Sequence, residues 1–468
     1  MTIETTTAPI TAPALDLRRT RRRVFSLAAP VIGENLLQTL LGVVDTLLVA
    51  GLGAVALAGV GAALQVVYVI LAALSALSVG ASVLVAQAVG AGRLAEAGRL
   101  ARQALLWAAL IAVPLTAIGL PLTPALIGLF GLERAVADVA AGYLGVTMGA
   151  VATITVMLLA SAVLRGAGDS RTPMLVTLLA NVVNVALSWA LIYGHAGLPA
   201  LGAVGSAWGT VLSRGLGAAV LVAVLLRGRH GVRIGGGGSW MPRLGAFGGI
   251  VRIGLPAALE EVLIIGAFAT LTPVVATLGT EALAAHRVAI NILSLSFLPG
   301  IGFGLAATAL VGQAVGAHQP DEARASTTIA LRWALIWMGA LAALFLVFAR
   351  QLTALFSQDP ALVAIGAAAV VAVALAQPLW AASFVYAGAL RGTGDTRTPL
   401  VITGTMMWAA VLIGFLALRV IPELWAVWGA FILTGPVETF LFWRAWRKAN
   451  LNPASPAPKE APEPIPTG

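Results

Sequence analysis

The sequence contains no cysteine and only two lysines, and just 10% of its residues are charged. The absence of cysteine excludes disulfide bonds, thiolate metal sites and cysteine nucleophiles, but it does not identify the redox compartment. A soluble domain averages about 25% charged residues. A chain of 468 residues that is 59% hydrophobic would therefore expose far too much apolar surface to water, so lipid is the solvent that fits it.

The net charge of +9 does not indicate a nucleic-acid partner, because the arginines lie between apolar runs and not on one basic face. The basic cluster at residues 18–23 precedes an apolar run that continues to about residue 50, too long for a removable signal peptide. We interpret this run as the first membrane span. We expect a disordered N-terminus at residues 1–23 and a disordered, proline-rich tail at residues 447–468.

The apolar runs predict an all-α membrane protein with twelve transmembrane helices. Each helical span needs roughly 20 apolar residues. Glycine and proline are tolerated inside such spans, since neighbouring elements satisfy the freed backbone groups. The predicted spans are residues 24–50, 57–88, 103–127, 136–162, 172–194, 203–226, 250–277, 283–314, 328–350, 361–389, 398–420 and 426–446.

The basic residues are distributed unevenly over the loops. With the N-terminus inside, most of the 28 arginines and lysines fall in cytoplasmic segments, and the outer loops hold only Arg134, Arg350 and Arg419. The positive-inside rule therefore predicts a multi-pass protein of the cytoplasmic (inner) membrane with both termini in the cytoplasm.

One motif occurs twice, as LRGAGDSRTP at 164–173 and LRGTGDTRTP at 390–399. The same offset of 226 residues relates Glu34 to Glu260 and Gln87 to Gln313. The chain is thus predicted to be a duplicated six-span unit, with halves 24–226 and 250–446 joined by a cytoplasmic linker at 227–249. Because six spans return the chain to the same side, the two bundles are parallel repeats about a pseudo-twofold axis along the membrane normal.

The repeated decapeptide is interpreted as a capped structural turn before spans five and eleven. Thr172 and Thr398 are predicted at the N-caps, with a proline in each first turn. A role in coupling loop motion to the spans remains an alternative. The residues singled out for the turn are Arg165, Gly168, Asp169, Pro173, Arg391, Gly394, Asp395 and Pro399.

Carboxylates inside the predicted spans are candidates for function, since an acid at the bilayer centre costs roughly 2.5–3.5 kcal/mol on insertion scales. Glu34 and Asp45 are eleven residues apart, about three helical turns, and so share one face of the first span. Glu260 is the repeat-mate of Glu34, and we expect both to face the opposite half. Asp45 instead corresponds to Leu271.

These acids predict a site for a coupling cation. Low dielectric favours the neutral form of a carboxyl, which can then take up and release H⁺. With amide oxygens nearby, the same acids can instead hold Na⁺. The alternative is that they are structural and pair with amides, Arg214 or Arg287. The candidate ion-coupling residues are Asp45, Glu34, Glu260, Glu261, Asn181 and Asn184.

Aromatic residues inside the spans have two interpretations. They can line a cavity for flat organic cations, or they can lie at the membrane interface, which tryptophan favours. For His286 and Arg287 we expect interfacial anchoring. The candidate cavity residues are Trp189, Trp208, Trp380 and Tyr386.

Motifs of other function classes are missing from the sequence. It has no Gly-Lys-Ser/Thr phosphate loop and no HExxH metalloprotease motif. We therefore expect a non-enzymatic protein with no cofactor and no metal site, with H⁺ or Na⁺ as its coupling ion. A flippase of lipid-linked or other amphipathic substrates remains an alternative, although it calls for a cationic cavity, and only Arg214 and Arg287 lie within the spans. A carrier of the major facilitator type fits the span count but not the decapeptides.

Residues 24–446 resemble the multidrug and toxic compound extrusion (MATE) transporters. The resemblance rests on both decapeptides, on LAAPVIGENLLQTLLGVVDTLLVAGLG at 27–53, on VAQAVGAG at 85–92 with VGQAVGAH at 311–318, and on AAHRVAINI at 284–292. It implies two six-helix bundles in a V around a central cavity, and H⁺- or Na⁺-driven efflux of small organic, often cationic compounds. We expect a monomer in the lipid bilayer.

The resemblance also bears on single residues. It implies that Asp45 matches the functional aspartate of the family's first span. Asn181 and Asn184 lie in the region of span five where some members place a second acid, which is absent here. Glu34 and Glu260 are candidates to supply what is missing.

Overall fold

The computed structural model describes residues 16–235 and 239–451, and most of these residues are helical. The helices are α1 (Leu17–Ala50), α2 (Ala54–Gly90), α3 (Leu94–Gly128), α4 (Arg134–Gly149), α5 (Val151–Gly166), α6 (Arg171–Tyr193), α7 (Ala203–Arg227), α8 (Leu244–Ala276), α9 (Thr280–Gly316), α10 (Pro320–Ala354), α11 (Pro360–Thr393), α12 (Arg397–Ala417) and α13 (Leu424–Lys448).

The helices confirm the predicted number of spans. Within the described part of the chain, 11 helices are long and apolar enough to cross a membrane, and α4 and α5 together supply a twelfth span that is bent by 55°. The bend lies at Ala150, whose backbone is not helical (φ −122°, ψ 18°). This multi-pass protein therefore has six spans before the linker and six after it.

Each half has a core of its own. In the first half, buried side chains of α2, α3, α5 and α7 pack together. The largest cluster joins α8 to α13 of the second half and also takes in Val24, Leu27 and Ala28 from α1. The N-terminal part of α1 is therefore packed against the second half.

The two halves approach most closely near the decapeptides, through glycines on α2, α8 and α9. A Cβ atom on Gly254 would lie 1.7 Å from the carbonyl oxygen of Ala76, and one on Gly80 would lie 2.1 Å from that of Ile250. Small residues allow such close packing of helices in membranes, where no hydrophobic effect drives helices together. Any larger side chain at these two glycines would force the halves apart.

Three predicted boundaries need correction. Helix α1 begins at Leu17, where Asp16 accepts hydrogen bonds from two backbone N–H groups, so residues 17–23 are helical and not disordered. Helix α8 begins at Leu244 and not at residue 250. Helix α13 continues to Lys448, so residues 447 and 448 are helical and do not belong to a disordered tail. The remaining expectations of disorder fall on residues 1–15 and 452–468, which lie outside the described residues.

Candidate functional site

A cavity of about 1380 Å³ lies mainly within the first half. Side chains of α1, α2, α4, α5, α6 and α7 line it, and the second half contributes only Glu261, Ile265 and Leu305 among the described residues. The lining runs from the level of Arg165, in the first decapeptide, to Val49 beside the α1–α2 connection. Ligand pockets commonly measure about 300–1,000 Å³, so this cavity has room for a drug-sized molecule.

The cavity carries charges of both signs. Its acids are Glu34, Asp45 and Glu261, and its bases are Arg165 and Arg214. Further polar side chains surround them: Asn35, Gln38, Thr39, Gln65, Tyr68, Tyr143, Ser206 and Thr210.

Glu34 is committed to an ion pair within its own half. Its carboxylate lies 3.1 Å from Arg165 of the first decapeptide and accepts a longer hydrogen bond, 3.4 Å, from Thr177. The acid is buried, with 5% of its surface exposed. The expectation that it faces the opposite half is wrong, and its direct partner is neither an amide nor Arg214.

The second half repeats this arrangement at the corresponding residues. Glu260 lies 2.7 Å from Arg391 and accepts a hydrogen bond of 3.1 Å from Thr403. Each of these three residues stands 226 positions after its counterpart in the first half. The Glu–Arg–Thr arrangement is therefore a duplicated structural feature that ties the first helix of each half to its decapeptide.

Asp45 has no such partner. Among the described residues it forms no ion pair, and its buried Oδ1 atom has no hydrogen-bond partner. Arg214 and Tyr143 are its electrostatic neighbours in the cavity. Because Leu271 occupies the equivalent position in the second half, this acid is one that the duplication does not repeat.

The two asparagines of α6 connect helices and do not line the cavity. Asn181 donates to the backbone carbonyl of Leu37 on α1 at 2.7 Å. Asn184 donates to Thr210 on α7 at 3.0 Å and accepts from Ser188 at 3.2 Å. The structure thus gives these two asparagines a role in connecting helices. It does not support their prediction as ligands of a coupling ion.

Glu261 does line the cavity, and it links the two halves. Its carboxylate accepts a hydrogen bond of 3.1 Å from Ser75 on α2. It is the second half's acid in the cavity lining, whereas Glu260 beside it points into the second half.

The decapeptide turns are capped by aspartates. Asp169 accepts from the backbone N–H of Thr172 at 3.0 Å and from its hydroxyl at 2.6 Å, and Asp395 repeats both bonds with Thr398 at the same distances. The prediction of Thr172 and Thr398 as N-caps is therefore wrong, because α6 and α12 begin one residue earlier. Pro173 lies in the first helical turn, as predicted, and so does Pro399.

The first turn is more strongly held than the second. Arg229 of the linker donates to Asp169 at 2.9 Å. Burial alone raises the pKa of Asp169, but the hydrogen bonds from Thr172 and Arg229, together with the nearby His230, outweigh it and lower this pKa below its ordinary value.

Gly168 and Gly394 both have φ +93°, a left-handed conformation that favours glycine.

A pair of glutamines that sequence reasoning did not single out as functional joins the two halves. Gln87 donates to the carbonyl of Gly392 at 3.0 Å, and Gln313 donates to the carbonyl of Gly166 at 2.9 Å. Each glutamine thus reaches the decapeptide of the opposite half. Arg23 adds a bond of 2.8 Å to the Gln313 side chain. The phrases VAQAVGAG and VGQAVGAH, which contain these glutamines, were the available signal.

The four candidate aromatic residues lie elsewhere, which corrects their assignment to this cavity. Trp189 and Trp208 are 47% and 42% exposed on the outer faces of α6 and α7. Trp380 is buried in the second half against Phe297, and Tyr386 packs partly buried against the same core. None of the four belongs to the cavity lining found in the described part of the chain.

The expected interfacial role of His286 is also wrong. Its imidazole is fully buried in the second half, and its ring centroid lies 5.5 Å from that of Trp428. Arg287 is exposed, and its interfacial role stays a prediction.

Two helical bundles that are duplicated in sequence, with a cavity that carries ionisable groups mainly within the first bundle, are an architecture found among membrane transporters. The MatE family model matches residues 30–190 and again residues 256–416, once in each half. This chain belongs to the MatE family of transporters.

Relatives at 30% identity or more agree with this assignment, and a solved structure has the same fold. The chain is 35% identical over 401 residues to the probable multidrug resistance protein NorM of Thermotoga maritima, covering 86% of each chain. It is 30% identical over 410 residues to the multidrug resistance protein PmpM of Pseudomonas aeruginosa, covering 85% of each. A solved structure of a multidrug resistance MATE family transporter, described as outward-facing, matches with a TM-score of 0.85 at 24% identity, covering 93% of this chain and 98% of that one. At this identity the likeness concerns the fold.

Proposed function

We propose that this protein is a multidrug efflux antiporter that exports organic, often cationic compounds across the cytoplasmic membrane in exchange for entering H⁺ or Na⁺. The names of its relatives support the substrate class. The observation that carries the coupling role is the position of Asp45, an acid in a drug-sized cavity without a direct ion-pair partner among the described residues.

Asp45 suits an exchange of cations because the other acids are already engaged. Glu34 is neutralised by Arg165, and Glu261 is hydrogen-bonded to Ser75. A substrate cation and a coupling cation can therefore compete for the Asp45 carboxylate. When H⁺ or Na⁺ neutralises this carboxylate, the attraction that holds a cationic substrate in the cavity is lost.

The duplicated halves suit alternating access by rocking. Gln87 and Gln313 close the end of the molecule that carries the decapeptides, while the cavity extends toward the opposite end. With the decapeptides in the cytoplasm, as the loop charges predict, this arrangement corresponds to a state that is closed to the cytoplasm. Each positive charge that enters down 100 mV supplies about 2.3 kcal/mol, enough for a roughly fiftyfold substrate gradient per net charge.

The flippase alternative receives less support from the cavity. Recognition of a phosphate group calls for available cationic side chains. Of the two arginines in the described lining, Arg165 is engaged by Glu34 and Arg214 faces both Glu34 and Asp45.

Substrate efflux from proteoliposomes tests this proposal. The purified protein is subjected to a pH gradient and, separately, to a Na⁺ gradient, with a fluorescent organic cation as substrate. Efflux that responds to one of the two gradients identifies the coupling ion. Efflux that responds to neither contradicts the antiporter proposal.

A further inference from the structure

An apolar groove of about 520 Å³ lies on the outer surface of the second half, between α8 and α12. Leu259 and Val262 form the α8 wall, and Val401 and Trp408 form the α12 wall. These four side chains are 40–62% exposed, and in a spanning helix such surface faces the lipid chains.

The groove owes its depth to Gly404. The corresponding residue of the first half is Leu178, whose side chain would occupy this space. A Cβ atom on Gly404 would already lie 2.7 Å from a methyl group of Leu263 across the groove. The glycine therefore leaves a recess in the second half, at the position where the first half has a leucine.

Two arginines lie at the decapeptide end of the groove. The hydrogen bond from Thr403 to Glu260 shows that these residues of α12 and α8 lie at the same depth along the helices. Arg252 precedes Glu260 by eight residues and Arg397 precedes Thr403 by six, which places them about 12 Å and 9 Å further toward that end. They therefore lie at similar depths.

Both arginines are on the groove faces of their helices and are free to bind a ligand. Arg252 is seven residues from Leu259 and Arg397 is eleven from Trp408, close to two and three full turns respectively. Both are exposed. Within residues 16–235 and 239–451, neither side chain forms a hydrogen bond or an ion pair.

We propose that this groove binds one anionic phospholipid, with an acyl chain along the apolar walls and the phosphate on Arg252 and Arg397. The α12 wall from Leu400 to Trp408 is about 12 Å long, enough for a substantial part of an acyl chain. Guanidinium groups bind phosphate through paired hydrogen bonds, and basic residues at the ends of membrane helices attract anionic headgroups. In the first half Ser26 replaces Arg252, so the equivalent surface lacks one of the two cations.

Fluorescence quenching tests the site on the full-length protein in detergent. Trp408 lies in the groove, so its quenching by phosphatidylglycerol brominated on the acyl chains reports occupancy, with Trp408→Phe defining the share due to this residue. We expect phosphatidylglycerol to quench Trp408 at about tenfold lower concentration than phosphatidylcholine carrying the same brominated chains. The Arg252→Gln/Arg397→Gln variant should lose this preference. Arg171→Gln, which alters the repeat-mate of Arg397 in the first half, should keep it.

A second variant tests the acyl-chain seat independently of charge. Gly404→Leu introduces the leucine that the first half has at this position. Because this side chain would fill the groove, quenching of Trp408 by both lipids should fall while the protein stays folded. Three results would overturn the proposal: equal quenching by the two lipids in the wild type, an unchanged preference in the double arginine variant, or full quenching in Gly404→Leu.

Discussion

Gln87 and Gln313 are equivalent residues of the two halves, and each donates a hydrogen bond to a decapeptide carbonyl of the opposite half. The backbones of the two halves also lie very close together around these hydrogen bonds. A Cβ atom on Gly90 would lie 1.9 Å from the carbonyl oxygen of Gln313, and one on Gly316 would lie 2.0 Å from that of Gln87. Opening this end of the molecule therefore requires both hydrogen bonds to break together.

A disulfide across this contact should stop transport. A Cβ atom on Gly312 would lie 2.9 Å from that of Ala86, so an Ala86→Cys/Gly312→Cys pair can form a disulfide after a shift of roughly 1 Å. Because the chain has no native cysteine, the pair is the only possible disulfide. We expect oxidation to abolish efflux and reduction to restore it, with the single-cysteine variants insensitive to oxidant. Full efflux by the oxidised, cross-linked protein would exclude rocking at this contact.

The duplicated ion pairs should behave as structural units. Arg165→Gln leaves the buried Glu34 without its partner, and the loss of one member of a buried pair costs about 3–5 kcal/mol. Arg391→Gln should have a similar effect through Glu260. The double variant Glu34→Gln/Arg165→Gln should recover part of the loss. Thermal unfolding in detergent measures this, and additive losses in the double variant would contradict a direct pair.

The turn glycines should resist substitution by alanine. Gly168 has φ +93°, and a Cβ atom there would lie 3.1 Å from the Nε2 atom of Gln313. Gly168→Ala should lower the unfolding temperature, because the left-handed conformation costs a residue with a Cβ atom roughly 1–2 kcal/mol. Gly339→Ala is the matched control: this helical glycine has no atom within 4 Å of the new methyl, so its replacement should be neutral or stabilising. Equal effects of the two substitutions would refute the argument.

The stability that Asp169 contributes should depend on pH. Its pKa is lowered in the folded protein from an ordinary value of 3.8, so the stabilisation is present above that value and is lost as the pH falls through the lower, folded pKa. The difference in unfolding temperature between wild type and Asp169→Asn should therefore be constant near neutral pH and shrink below about pH 4. A difference that stays unchanged down to pH 3 would show that the carboxylate charge is not what holds the turn.

The sequence predicts the repeated features better than the single ones. Twelve spans, the duplication and the two turns all follow from patterns that occur more than once. The position of Trp380 does not follow from such a pattern. A span is apolar on every side, so its sequence does not show whether a side chain faces lipid, the core of the bundle or the cavity. Likewise, the offset pairs Gln87 with Gln313 but does not reveal that each contacts the opposite half. The sequence does not reveal the partner of Glu34, because Arg165 lies in a loop motif that is distant in sequence.

In the proposed mechanism, coupling depends on Asp45, which stands where the second half has Leu271. Gradient-driven efflux by Asp45→Asn in proteoliposomes tests this most directly, with Asp138→Asn as the control, an acid of the same half that does not line the cavity. We predict that Asp45→Asn abolishes the response of efflux to the driving cation gradient while Asp138→Asn preserves it. A wild-type response in Asp45→Asn would contradict the coupling role of this aspartate.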